Sequence, residues 1–201
     1  MTAAAQQRPE LLNLRGLSIL LLQGSDIEMV MLVQVLGGLG CWSPVKCTSG
    51  QEAMLVLGQR EIDMVIVDAG LPDQDGYTFI QTLRRSGLAA NRAVPIILLA
   101  GHIRTADVQR ARDCGANLIL VKPATPQIIY ERVAWLARDT RPFIDCPAYC
   151  GPDRRFQRLG PPLGTKGRRA GDLAGKVGEA TEPNMSQIEV DTLFSPQRAT
   201  V

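Results

Sequence analysis

Four short segments each follow a run of aliphatic residues: Gln23–Ser25 after Ile19–Leu22, Asp68–Gly70 after the run ending at Val67, Ala100–His102 after Val94–Leu99, and Lys122–Pro123 after Leu118–Val121. Their ionisable members are one carboxylate (Asp68), one ammonium (Lys122) and the only histidine of the chain (His102). A carboxylate and an ammonium can pair with each other, or divide between them the handling of a cation and an anion. A single histidine excludes a histidine-rich metal site and any two-histidine mechanism. Five cysteines are too few for a disulfide scaffold and leave one unpaired, which points to a reducing compartment. Cys146 and Cys150 are spaced C-x3-C, but zinc needs two more ligands and the other candidates are scattered, so no metal site is read there. Aromatic residues make up 4% of the 201, against a surface that stacks bases.

Five strand–helix units carry these segments. Strands are expected at Ile19–Leu22, Val45–Cys47, Asp63–Val67, Val94–Leu99 and Leu118–Val121. Helices are expected over 26–39, Gly50–Arg60, Tyr77–Arg85, Thr105–Cys114 and Pro126–Arg138, the last with Thr125 as N-cap. Gly115 is a normal helix stop. The strands are continuous aliphatic runs, so both faces of the sheet are covered. The expected fold is α/β, a doubly wound five-stranded parallel sheet with function collected at the carboxyl ends of the strands. In the first helix the core stripe is expected along Met31, Leu32, Val35, Leu36 and Leu39. Met29, Val30 and Val33 then lie off it, either as harmless apolar drift or as a docking face.

Long apolar runs stop at about Leu136. Between 151 and 178 there are seven basic residues, two acidic ones, seven glycines and three prolines. The domain reading is an N-terminal extension over 1–16, a folded domain over 17–138 and a largely disordered Gly/Pro/Arg-rich tail over 139–201. The paired arginines Arg154–Arg155 and Arg168–Arg169 read as a solvated segment rather than a nucleic-acid site. Met185, Ile188 and Leu193–Phe194 form a weak apolar patch near the end, a candidate short helix for docking. The first residues lack the continuous apolar stretch of a secretory signal, and no run approaches the length that spans a bilayer. The chain reads as soluble and cytoplasmic.

The segments VIVDAGLPDQDG, VPIILLAG and GANLILVKP, in this order and spacing, resemble the receiver domain of bacterial two-component response regulators, with its flavodoxin-like (βα)5 fold, over residues 17–137. The tail resembles the short GPDRR-bearing tails that follow some bacterial receivers, to which no function attaches. The resemblance implies a signalling role in a phosphorelay and no enzyme activity. It implies that Asp68 accepts a phosphoryl group from a histidine kinase or phosphotransfer protein, that Lys122 contacts the phosphoryl oxygens, and that Lys122–Pro123 is cis. Leu71, Pro72, Asp75 and Gly76 would hold the shape of the site. A relay role for His102 is not implied, since relay histidines sit on helical bundles in those proteins.

Against the same pattern, four working positions are substituted. The adjacent acidic pair after the first strand is Gln23 and Gly24, the hydroxyl residue ending the fourth strand is Ala100, and the aromatic switch residue of the fifth is Ile119. The metal ligands that remain are Asp68 and the carbonyl of Gly70, so Mg²⁺ binding is expected to be weak or absent. Ser25, Asp26 and Glu28 are the nearest replacements for the missing acids. Ser25-Asp26-Ile27-Glu28 fits an S-x-x-E capping box, with a rescuing role for Asp26 as the alternative. Two functions stay open: a receiver phosphorylated on Asp68 despite its degenerate Mg²⁺ site, and a pseudo-receiver that binds another signalling protein whatever its phosphorylation. A flavodoxin-like fold used for a small ligand is a third, weakened by the absence of a glycine-rich phosphate loop after the first strand. The oligomeric state is not legible.

Overall fold

A computed structural model describes residues 14–154 and 186–194. The chain runs β1 (Ile19–Leu22), α1 (Asp26–Gly38), β2 (Val45–Cys47), α2 (Gly50–Gln59), β3 (Met64–Asp68), α3 (Gly76–Arg85), β4 (Ile96–Ala100), α4 (Thr105–Cys114), β5 (Leu118–Val121), α5 (Pro126–Leu136), β6 (Phe143–Cys146), β7 (Tyr149–Pro152) and α6 (Gln187–Phe194). The first five strands form one parallel sheet in the order β2-β1-β3-β4-β5. This is the doubly wound, flavodoxin-like architecture expected from the sequence. β3 and β4 begin one or two residues later than their aliphatic runs and include Asp68 and Ala100 as last members.

Alternation along the strands builds two cores. Leu20, Leu22, Val65, Val67, Ile96, Leu98 and Ile119 share one with Phe79, Leu83 and Val108 of α3 and α4. Ile19, Leu21, Ile66, Ile97, Leu99 and Leu120 share the other with Leu32, Leu36, Ile129 and Val133 of α1 and α5. Ser25, Ser49, Asp75 and Thr125 cap α1, α2, α3 and α5, each side chain accepting from the N–H three residues on. No helix among the described residues is long and apolar enough to cross a membrane.

Two expectations change. In α1 the buried stripe is Met29, Leu32 and Leu36, whereas Ile27, Val30 and Met31 are exposed. The helix is apolar all round, so periodicity alone could not fix its rotation. Secondly, the stretch read as tail is folded over 139–154. β6 and β7 pair antiparallel from Phe143↔Pro152 to Cys146↔Tyr149 and pack on α3 and α4. The hairpin seats on Arg84, fully buried at the end of α3, whose guanidinium donates to the carbonyls of Gly115, Arg92 and Val94 and to Asn117 Oδ1 at 2.7–3.0 Å. Phe143 lies 5.5 Å from that guanidinium, and the Cys150 thiol donates to the Arg84 carbonyl at 2.8 Å. Gly115, in the left-handed conformation at φ 95°, ends α4 and lets Cys150 approach: a Cβ there would stand 2.6 Å from its carbonyl oxygen. Residues 1–13 and 155–185, which hold Arg155 and the Arg168–Arg169 pair, lie outside the described residues.

Candidate functional site: an aspartate–lysine–glutamate crevice

Parallel pairing sets Leu22 beside Val67, so Gln23 and Asp68 follow side by side at the switch point between β1 and β3. Asp68 is 7% exposed. Its Oδ1 accepts the Gly70 N–H at 3.1 Å and its Oδ2 accepts Lys122 Nζ at 2.7 Å. The same ammonium donates to Glu28 Oε2 on α1. Burial disfavours the charged ammonium, but the hydrogen bonds and charges of Asp68 and Glu28 outweigh it and hold the Lys122 pKa above its usual value. Lys122 is placed by its own N–H, which donates to the Ala100 carbonyl at 2.8 Å, and its peptide bond to Pro123 is cis.

The loop after β3 is tied at both ends. Asp73 accepts from the N–H groups of Gly50 and Gln51 at 3.1 and 3.2 Å, and Asp75 caps α3 through Thr78 and pairs with Arg110 at 2.9 Å. Burial raises the Asp75 pKa, but Thr78 and Arg110 outweigh it and leave the carboxyl below its usual range. Gly76 has no room for a side chain, since a Cβ would lie 2.1 Å from the Asp68 carbonyl oxygen.

Two of the four substituted positions, Gln23 and Gly24, border the crevice. Gln23 is 1% exposed, and neither its amide nitrogen nor its oxygen has a partner among the described residues. Gly24 is exposed and close against the loop: a Cβ would stand 2.9 Å from Pro72 Cδ and 3.5 Å from the Gly70 carbonyl oxygen. Ala100 and Ile119 are both buried in the α4-side core. His102 is exposed after β4. All five cysteines are free, and no group of three or more His, Cys, Asp or Glu side chains suited to a metal occurs among the described residues.

The capping-box expectation holds by half. Ser25 Oγ accepts the Glu28 N–H at 3.5 Å, but the Glu28 carboxylate turns to Lys122 instead of returning to the N-cap. The acid that enters the crevice is therefore Glu28, and not Asp26, which is exposed. The helical period alone does not signal this: Glu28 lies next to Met29, which the structure buries and which falls off the core stripe expected from the sequence.

Residues 19–134 match the family described as Response regulator receiver domain. The chain belongs to the response regulator receiver family. It is 29% identical over 123 residues to the Sensor histidine kinase RcsC of Escherichia coli (strain K12), an alignment covering 61% of this chain and 12% of that protein. It is 40% identical over 73 residues to the KDP operon transcriptional regulatory protein KdpE of the same strain, covering 36% of this chain and 30% of that one. The chain thus spans a small part of the curated relatives it matches. A signal receiver domain of a signal transduction histidine kinase from Syntrophus aciditrophicus is similar at a TM-score of 0.55 and 26% identity, over 66% of this chain and 98% of that one. The chemotaxis protein CheY4 of Vibrio cholerae, at a TM-score of 0.56 and 22% identity over 60% and 98%, shares the fold. The chain carries a receiver domain of two-component signalling over residues 19–134.

Proposed function

We propose that this receiver acts in a phosphorelay with Asp68 as its phosphoacceptor and Lys122 as the phosphoryl contact, at a site that binds Mg²⁺ weakly. The observation that carries the reading is the 2.7 Å bond between Lys122 Nζ and Asp68 Oδ2 at the carboxyl ends of β5 and β3. In the step itself an Asp68 carboxylate oxygen attacks the phosphorus of a phosphohistidine on the partner. The P–N bond breaks, the electron pair returns to the imidazole, and the new phosphoryl oxygens take Lys122. Positioning and charge neutralisation carry such transfers. The donors toward Mg²⁺ are the Asp68 carboxylate, the Gly70 carbonyl and the Gln23 amide, while the Gly24 side chain supplies none and the Glu28 carboxylate is engaged by Lys122. A cation that wants hard oxygens in octahedral array, and gives up water reluctantly, is poorly served by this set, and the Lys122 ammonium already holds Asp68 Oδ2. The neutralising charge left in the crevice is that of Lys122.

Glu28 favours the second reading, a pseudo-receiver that engages another signalling protein without phosphorylation. Its carboxylate sits on Lys122, the seat the phosphoryl oxygens would take, so two of the three N–H donors of the ammonium are already engaged. The decisive experiment incubates the full chain with a phosphorylated histidine phosphotransfer protein, and separately with acetyl phosphate and Mg²⁺, and weighs the product by mass spectrometry. A phosphoryl group gained from the phosphohistidine donor and absent in Asp68→Asn supports the first reading. No transfer from either donor, with partner binding intact, supports the second. Ready modification by acetyl phosphate at millimolar Mg²⁺ overturns the weak-site argument. By the same reading the chain is a non-enzymatic signalling module of the cytoplasm, and its partner is a histidine kinase, a phosphotransfer protein or another signalling protein.

A further inference from the structure

Gln23, Asp68 and Lys122 stand on one face of the sheet. Ile19 and Leu21 of β1, Met64 and Ile66 of β3, and Leu118 and Leu120 of β5 all pack into the core beneath α1 and α5. The two-residue alternation of a strand carries that face on to Gln23, Asp68 and Lys122. The ladder still holds at this level, since the Gln23 N–H donates to the Cys47 carbonyl at 3.1 Å. β1 and β3 are direct neighbours, so the Gln23 amide lies beside the Asp68 carboxylate. It is 1% exposed, and neither of its polar atoms has a partner among the described residues. A buried amide is costly unless a ligand or water meets it. A second neutral oxygen lies close by: the Gly70 carbonyl oxygen is 3.5 Å from where a Cβ on Gly24, the residue after Gln23, would stand. The third oxygen is Asp68 Oδ1. Lys122 holds Oδ2 at 2.7 Å, whereas Oδ1 accepts the Gly70 N–H at 3.1 Å and retains a second lone pair. Charge then selects the ligand. Asp68 and Glu28 against Lys122 leave one formal negative charge, which a single positive charge balances. A divalent ion overshoots it, and finds one carboxylate and two neutral oxygens where it wants hard anionic donors in octahedral array. Alkali cations readily exchange hydration water for neutral carbonyl oxygens, as in potassium filters.

We propose that the crevice takes an alkali cation, sodium or potassium, in place of Mg²⁺, held by Gln23 Oε1, the Gly70 carbonyl and Asp68 Oδ1. The proposal rests on the weak-Mg²⁺ part of the reading above and is independent of phosphorylation, since binding is read on the unmodified chain. The test titrates the full chain with NaCl, KCl, choline chloride and MgCl₂ at constant ionic strength, and follows the Gln23 side-chain amide and the Gly70 N–H by NMR. Both signals are expected to shift and saturate in NaCl or KCl, at a lower concentration than in MgCl₂, and to stay in place in choline chloride. Gln23→Leu is expected to lose the saturable shift at Gly70. Its gain in urea midpoint belongs to choline chloride and shrinks in the alkali salt, which stabilises the unaltered chain alone. Gln23→Glu adds a carboxylate and is expected to tighten Mg²⁺ binding by roughly tenfold or more. An equal response to choline, or a Gly70 shift that survives Gln23→Leu, overturns the proposal. Silence in NaCl, KCl and MgCl₂ alike overturns it and leaves the weak-Mg²⁺ reading standing. Saturation by Mg²⁺ ahead of both alkali cations overturns the two together.

Discussion

The Lys122 ammonium joins three parts of the fold, α1 through Glu28, β3 through Asp68 and β5 through its own backbone. Because its folded pKa is raised, the stabilisation it brings is fully present below the unfolded lysine value of about 10.4 and is lost as pH climbs through the higher folded value. Glu28→Gln removes one of the two anions. Its side chain is 39% exposed, so the loss in unfolding free energy at neutral pH is expected to stay below about 1 kcal/mol. The pKa of Lys122 should fall, and NMR titration of the lysine side chain checks both its direction and the narrower alkaline window. A Glu28→Gln chain in which that pKa does not move would mean that the carboxylate leaves Lys122 in solution. Gln23 makes the opposite case. Its buried amide satisfies neither donor nor acceptor among the described residues, so Gln23→Leu, similar in volume, is expected to raise stability by about 1 kcal/mol in a urea melt. A lower midpoint would show that the amide has a working partner in solution.

At the scale of elements, the hairpin depends on two arginines. Arg84 has neutral acceptors around all its nitrogens, and burial pushes its pKa down to about 10. Replacing it with Met would strand the carbonyls of Gly115, Arg92 and Val94, and the expected cost is about 3 kcal/mol in a denaturant melt. Arg141, at the base of the hairpin, is held by Asp139 and donates to the Asn117 carbonyl at 3.2 Å. Burial raises the Asp139 pKa, but Arg141 outweighs it and leaves the carboxyl below its usual value. That stabilisation is therefore present above the unfolded Asp value of about 3.9 and fades as pH falls through the folded one. Exchange at the Asp153 amide, which bonds Pro142 across the hairpin, should rise in that acid window, and Asp139→Asn should raise it already at neutral pH. None of this was legible beforehand. A basic pair at a helix end carries no mark that one guanidinium is buried, and Gly, Pro and Arg around residues 139–154 look like tail until Phe143 and Tyr149 find Arg84 and Arg154 to cover. The five strands were legible because parallel strands buried on both faces need continuous aliphatic runs. Asp68 and Lys122 were legible because they end two of those runs. Glu28 was misread because a capping box and a flank-facing carboxylate have the same spacing, and only the rotation of α1 separates them.

The whole molecule places two additions to the (βα)5 domain, the β6–β7 hairpin and α6, at different distances from the crevice. The hairpin seats where β4 and β5 begin, whereas Asp68 and Lys122 stand where β3 and β5 end. From Asn117 to Lys122 the strand rises roughly 16 Å, at about 3.3 Å per residue. Sites so far apart with no shared partner add independently, within about 0.5 kcal/mol. α6 differs, because Gln187 holds the peptide N–H of Val121, the residue before Lys122. Movement of that peptide is expected to reach Lys122 through the adjoining backbone. Two double-mutant cycles in unfolding free energy separate the cases. Arg84→Met with Glu28→Gln should show no coupling beyond about 0.5 kcal/mol, while Gln187→Ala with Glu28→Gln should couple above that level. Additivity in the second cycle would make α6 a cover for the strand edge with no hold on the crevice. Coupling in the first would mean that the sheet transmits strain along β5 from one end to the other, and that the hairpin acts on Lys122 from the far end of the strand.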